Sequence, residues 1–156
     1  MLKLKVFVLS LVFLATIGVI ATNAQIDSIA KSHIEANVPD AQHFDEYLKS
    51  ALEEYFKGRT GKDVSVEYEL LRLGPTQSGI AYPKFYAWIK VVEKEKIIDQ
   101  GAVRLAAIDK KRFEITHYLK CSEVIENPES AAEVFPSEVV EKIKQKIDDD
   151  KCRGKI

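Results

Sequence analysis

Apolar and polar positions follow three successive rhythms along this chain. Val6 to Ala21 is an unbroken run of apolar or small residues, preceded by Lys3 and Lys5 and followed by Thr22-Asn23-Ala24. From Ile26 onward the apolar positions step by three and four, the spacing of one helix face. Ile26, Ile29, Ala30 and Ile34 predict a short helix that stops before Pro39. Phe44, Tyr47, Leu48, Ala51, Leu52, Tyr55 and Phe56 predict a longer one, with Asp40 placed to cap it and Gly58 and Gly61 to close it.

At Val64 the period changes to two. Val64, Val66, Tyr68 and Leu70 alternate with Ser65, Glu67 and Glu69, the mark of a half-buried strand. Leu71 and Leu73 break the alternation, and Gly74 to Gly79 reads as a loop. Lys84 to Val92, Ile97 to Ile108 and Arg112 to Cys121 are predicted as three more strands, joined by the charged turns Glu93–Lys96 and Asp109–Lys111. Turns this short join antiparallel neighbours. Asn127-Pro128 interrupts the pattern, and a last helix is expected from about Ser137, with Val139, Val140, Ile143 and Ile147 on one side. Asp148 to Asp150 would sit badly at a helix C-terminus, where the dipole favours cations, so they are expected to fray into a solvated tail. The predicted fold class is α+β: N-terminal helices packed on a curled four-stranded antiparallel meander, with a C-terminal helix.

Alternation also assigns faces. One face gathers Phe85, Ala87, Ile89, Val91, Val103, Leu105, Ala107, Phe113, Ile115, His117 and Leu119, and should bury against the 44–56 helix. The other gathers Tyr86, Trp88, Val92, Gln100, Ala102, Arg104, Glu114, Thr116 and Tyr118. Aromatic rings beside charges are unusual for a solvated face, so a cover is expected there: the C-terminal helix, a second subunit or a ligand.

The first rhythm bears on compartment. A positive start, an apolar stretch of about 16 residues and small residues at its end have the order of a cleavable secretory signal, and the stretch is short of the roughly 20 residues of a spanning helix. Cleavage after Ala24 would leave residues 25–156 as a single domain. Loss of Lys3 and Lys5 takes the 23 basic residues to 21 against 24 acidic, a formal charge of −3. Such a mixed surface argues against nucleic acid and, once the leader is removed, against an anionic membrane as partner. Cys121 and Cys152, the two cysteines of the chain, read most simply as a disulfide in an oxidising compartment. The expected localisation is therefore secreted or periplasmic. No CxxC spacing, HxxxH pair, GxSxG, P-loop or dinucleotide glycine pattern is present in the sequence, so no metal centre, cofactor or catalytic residue is assigned.

The segments Tyr86–Val92, Gly101–Leu105 and Arg112–Leu119, following the 44–56 helix, are similar in cadence to the cystatin-like and NTF2-like α+β superfolds, over roughly Asp40 to Leu119. The resemblance implies a helix wrapped by an antiparallel sheet. The Gln-x-Val-x-Gly and Pro-Trp hairpins of the cystatin inhibitors are absent, the turns reading Val91-Val92-Glu93-Lys94-Glu95-Lys96 and Asp109-Lys110-Lys111, so inhibition of papain-like proteases is not implied. An NTF2-like enzyme would need a carboxylate and a donor inside the cone, for which Asp99, His117, Tyr47, Tyr55 and Tyr68 are the residues available. The function expected is a non-enzymatic exported binding module for a protein partner or a small apolar ligand, or a homodimer. Tyr86, Trp88, Arg104, Tyr118 and His117 are its candidate binding residues. An NTF2-like lyase, isomerase or hydrolase and a cell-envelope assembly component are the alternatives.

Overall fold

A computed structural model describes residues 25–150 and Cys152. The leader reading falls on residues 1–24, which lie outside the described residues. Helix α1 occupies 25–37 and is largely exposed. Its last residue, Asn37, is buried and works as a pin. The Asn37 side chain donates to the His33 carbonyl (2.9 Å) and accepts from the Asp109 amide (3.1 Å), while its backbone carbonyl accepts from Lys110 (2.9 Å).

Helix α2 spans Phe44–Thr60. Asp40 Oδ1 accepts from the backbone amides of Gln42 and His43, turning the chain into the helix. Gly61, at φ 67°, ends it by donating to the Lys57 carbonyl, a left-handed C-cap that glycine adopts without a Cβ clash. Leu48, Leu52 and Phe56, all fully buried, lie on the sheet side as the three-four spacing predicts.

Strands β1 (Ser65–Leu70), β2 (Lys84–Glu93), β3 (Lys96–Ile108) and β4 (Arg112–Lys120) form an open antiparallel meander in the order β1-β2-β3-β4. Both long hairpins turn on residue pairs at positive φ, Lys94-Glu95 and Asp109-Lys110. This handedness matches the twist of the strands they join. Gly101 faces Lys120 across the β3–β4 ladder, where a Cβ would lie 2.3 Å from the Leu119 carbonyl oxygen. No side chain larger than hydrogen fits there.

The sheet is covered on both faces. Against α2 it presents Phe85, Ala87, Ile89, Val91, Val103, Leu105, Ala107 and Phe113, as predicted. Phe44, Phe85 and Phe113 meet edge to face at 5.1–5.7 Å, and Phe56 meets Tyr118 at 4.9 Å. Rings fill the volume between helix and sheet. The opposite face packs against α3 (Cys121–Glu126), α4 (Glu129–Val134) and α5 (Ser137–Asp149), burying Tyr86, Trp88, Ala102, Val124, Phe135, Val139 and Ile143. Cys121 and Cys152 are bonded and buried in this second core.

Three expectations are corrected. The chain between Cys121 and Pro136 holds two helices of six residues each, α3 and α4, so the C-terminal cover is a group of helices. Asp150 is not a solvated tail: its carboxylate accepts from Trp88 Nε1 (2.8 Å) and pairs with Lys90 Nζ (2.7 Å). Lys90 thus brings a cation from the sheet to the α5 terminus, beside the helix's own Lys146 in its last turn. The faces of β4 beyond Ile115 are also the reverse of those expected.

Candidate functional site

Beyond Ile115 the alternation in β4 inverts. Leu105 faces Ile115 while Arg104 faces His117, so Thr116 is an extra residue, a β-bulge. Its hydroxyl fills the gap, donating to the Arg104 carbonyl (3.0 Å) and accepting from Arg104 Nε (3.1 Å). The bulge moves His117 and Leu119 to the side of the C-terminal helices and sends Tyr118 to the α2 side, the reverse of the faces read by alternation. Tyr118 packs on Phe56 beneath the Arg59 guanidinium. Its hydroxyl is buried without a hydrogen-bond partner. Burial foremost, and then the charge of Asp99, push its pKa far above the usual phenol range. Asp99 lies on that same side, so Asp99 and His117 occupy opposite faces and form no acid–base pair.

The five candidate binding residues therefore separate. Tyr86 and Trp88 are 4% and 2% exposed, held under Phe135 and α5, so they do not form an open face. Of the three covers expected for that face, the chain's own helices are the one observed. Tyr118 belongs to the other core. Arg104 and His117 remain together at the rim, in the row Tyr86–Arg104–His117, next to the row Lys84–Ala106–Glu114.

Arg104 is held from three directions. Besides Thr116, Nη1 donates to the Val134 carbonyl (3.1 Å) and Nη2 to His117 Nδ1 (2.6 Å). A guanidinium only donates, so Nδ1 is the acceptor and His117 is neutral, with its proton on Nε2. Burial first, then the charges of Arg104 and Lys84, hold the His117 pKa below the ordinary imidazole value. Lys84 is likewise held below the usual lysine range, by burial and then by Arg104, against an opposing pull from Glu114. Neither Lys84 nor Arg104 has an ion-pair partner among the described residues.

Bordering this rim is the loop 71–83, read from the sequence as a loop over Gly74 to Gly79 but not as a candidate site. Leu71 turns inward and donates its amide to the Tyr86 carbonyl, so the next apolar residue, Leu73, points out at 94% exposure. Ile80 and Tyr82 are 82% and 46% exposed. The loop is nonetheless tied down. Arg72 Nη1 donates to the Gly74 and Pro75 carbonyls (3.0 and 2.8 Å), and Arg72 Nε pairs with Glu138 of α5. Thr76 and Lys84 exchange two backbone bonds at 2.9 Å, Thr76 Oγ1 meets the Tyr86 hydroxyl (2.6 Å), and the Gln77 amide donates to the Gly79 and Ala81 carbonyls. A groove of about 460 Å³ runs beside it, lined by Leu70, Leu71, Arg72, Leu73, Glu138 and Lys142. The signal available in the sequence was Leu73 and Ile80-Ala81-Tyr82 set among Gly, Pro and polar residues.

A smaller recess of about 130 Å³ lies over the β1–β2 edge. Four of its charged residues are paired, Lys146 with Glu69 and Lys90 with Asp150, and Glu67 is the remaining charged residue of its lining. Among the described residues no His, Cys, Asp and Glu group of three or more is placed to hold a metal ion, and no helix is long and apolar enough to cross a membrane. No family model, curated protein or solved structure matches the chain.

Proposed function

We propose that this chain is an exported, non-enzymatic binding module that engages a protein partner through the loop 71–83. The observation that carries the reading is the display of Leu73 and Ile80, 94% and 82% exposed, on a loop anchored by side-chain and backbone hydrogen bonds at both ends. Large apolar side chains cost free energy in water, about 25 cal/mol per Å² of apolar surface left uncovered. A loop held in one shape loses little conformational entropy on docking, so its apolar contacts translate into affinity. The flanking groove beside Leu73, with Arg72, Glu138 and Lys142 on its walls, gives the apolar tip a polar border of the kind that rims protein interfaces.

Two further observations support the module over an enzyme of NTF2-like outline. Aromatic rings occupy the space in which such an enzyme would hold its substrate, and Asp99 and His117 lie on opposite faces. Export is supported by the leader-like first 24 residues together with the bonded pair Cys121–Cys152.

The test compares wild type with the double variant Leu73→Ser, Ile80→Ser. Each is used as bait in the extracellular or envelope fraction of the source cells, with sedimentation of each protein alone as a control. Capture of a defined partner by wild type and its loss from an equally stable double variant is the expected result. Equal capture by both would refute the loop's role. A concentration-dependent dimer abolished by the two substitutions would replace the partner with a second copy of the chain.

A further inference from the structure

Arg104 and Lys84, with His117 orienting the guanidinium, form a site for a carboxylate group, we infer, and this assignment stands independently of the loop. Of the five N–H groups of the Arg104 guanidinium, three are used, toward Thr116, Val134 and His117, leaving one on each terminal nitrogen. Because His117 Nδ1 accepts from Arg104, its remaining donor is Nε2–H, on a residue exposed to solvent. The Lys84 ammonium, one row away on the same face, donates to no acceptor among the described residues and is close enough for its charge to act on His117. Arg104 and Lys84 thus offer unused donors at one rim, the carboxylate in their rows, Glu114, makes no ion pair with either, and His117, whose Nε2–H points away from Arg104, holds the guanidinium in place and reports on it.

Position matters as much as number. Arg104 is clamped by a hydroxyl, a backbone carbonyl and a ring nitrogen, so little side-chain freedom remains to be lost when it binds. Two cations sit partly desolvated without a contacting carboxylate. Such an arrangement costs free energy until an anion arrives, and each charge-assisted hydrogen bond formed is about twice as strong as a neutral one. The Thr116 bulge, which breaks the ladder to bring Arg104 and His117 side by side, is the kind of irregularity that re-aims side chains at binding sites.

Charge selects among oxyanions. Arg104 and Lys84 contribute two positive charges, and Glu114, whose field reaches Lys84, offsets one of them. A net charge of one suits a monoanionic carboxylate, which the planar guanidinium also fits in shape, better than a dianionic phosphate that would meet Glu114.

The test follows the His117 ring by NMR in the purified protein, titrated with sodium acetate against sodium chloride at constant ionic strength. The three histidines are assigned with single His→Gln variants. A saturable acetate response at His117, with its pKa moving up toward the usual imidazole value, is expected. Arg104→Gln should weaken the response about tenfold or more, the loss of one charge-assisted hydrogen bond. Since Arg104 also ties Val134 in place, Lys84→Met and Glu114→Gln supply variants outside that clamp. The first should weaken acetate and the second should tighten it, an opposition that simple loss of folding does not produce. A response no different from chloride, or one unchanged in both of these variants, would overturn the site. Tighter binding of inorganic phosphate than of acetate at pH 7 would overturn the choice of carboxylate.

Discussion

Replacing Trp88 with alanine separates a three-layer molecule from one whose sheet has an open face. Trp88 is 2% exposed, flanked by Tyr86, Ala102 and the α5 residues Val139 and Ile143, with Nε1 donating to Asp150 at 2.8 Å. A buried tryptophan removes roughly 150–250 Å² from water, which at about 25 cal/mol per Å² sets an upper bound of about 4–6 kcal/mol. Tryptophan-to-alanine changes in cores cost about 3–5 kcal/mol. Against a total stability of about 5–15 kcal/mol for a single domain, the variant should be marginal or unfolded at room temperature. Trp88→Phe keeps most of the apolar area and loses the N–H. Asp150 still has Lys90, so a loss of about 1–2 kcal/mol is expected, near the lower end for a hydrogen bond to a charged group. Urea unfolding followed by far-UV circular dichroism measures both. Because Trp88 is the only tryptophan, fluorescence of wild type reports on this interface alone, and the two probes should give one transition. A Trp88→Ala midpoint within about 0.5 kcal/mol of wild type, the range of an ordinary surface change, would refute the docking of α3–α5 on the sheet.

Removing the Cys121–Cys152 bond with paired alanines frees a loop whose ends are 31 positions apart, for which the chain-entropy relation gives about 3–4 kcal/mol; thermal unfolding with and without reductant reads it. Gly101→Ala forces a methyl against the Leu119 carbonyl, a backbone atom that cannot swing aside, so destabilisation toward the upper end of about 1–3 kcal/mol is expected in the same assay. His117 has a folded pKa below its unfolded value, so its contribution to stability is complete above about pH 6.5 and is lost as the pH falls through the folded pKa. His117→Gln should flatten that part of the stability–pH curve, and an unchanged curve would place the dependence elsewhere. Leu73→Ser with Ile80→Ser touches only exposed side chains and should leave the urea midpoint within about 0.5 kcal/mol of wild type.

How far the fold could be read from the chain depended on length and on regular spacing. Helix α2 repeats its apolar positions over four turns, and β2 from Lys84 to Val91 pairs with β3 from Asp99 to Ala106 without a shift of register, so period and face were legible there. Helices α3 and α4, six residues each, are too short for a 3.6-residue period to declare itself and owe their form to packing on the sheet. The face of His117 could not be read because one inserted residue, Thr116, inverts everything after it, and nothing in Ile115-Thr116-His117 announces a bulge. Asp150 carries no local sign of its partners, since Trp88 and Lys90 lie some 60 positions away. At the rim, Arg104 was nominated for lying beside aromatic residues. What places it at a site is three acceptors from β4 and the end of α4, a convergence visible only in three dimensions.

The two hairpin tips differ in a way that experiments can use. Asp109-Lys110 is latched to Asn37, so any change there will be felt by α1. Lys94-Glu95 sits at the far end of the meander, away from the 71–83 loop and the Arg104 row, and its two residues carry a left-handed backbone that costs side-chain-bearing residues about 1 kcal/mol each. Asn-Gly at that tip would relieve the strain, and a fluorophore or affinity handle attached there would leave both proposed surfaces free to report.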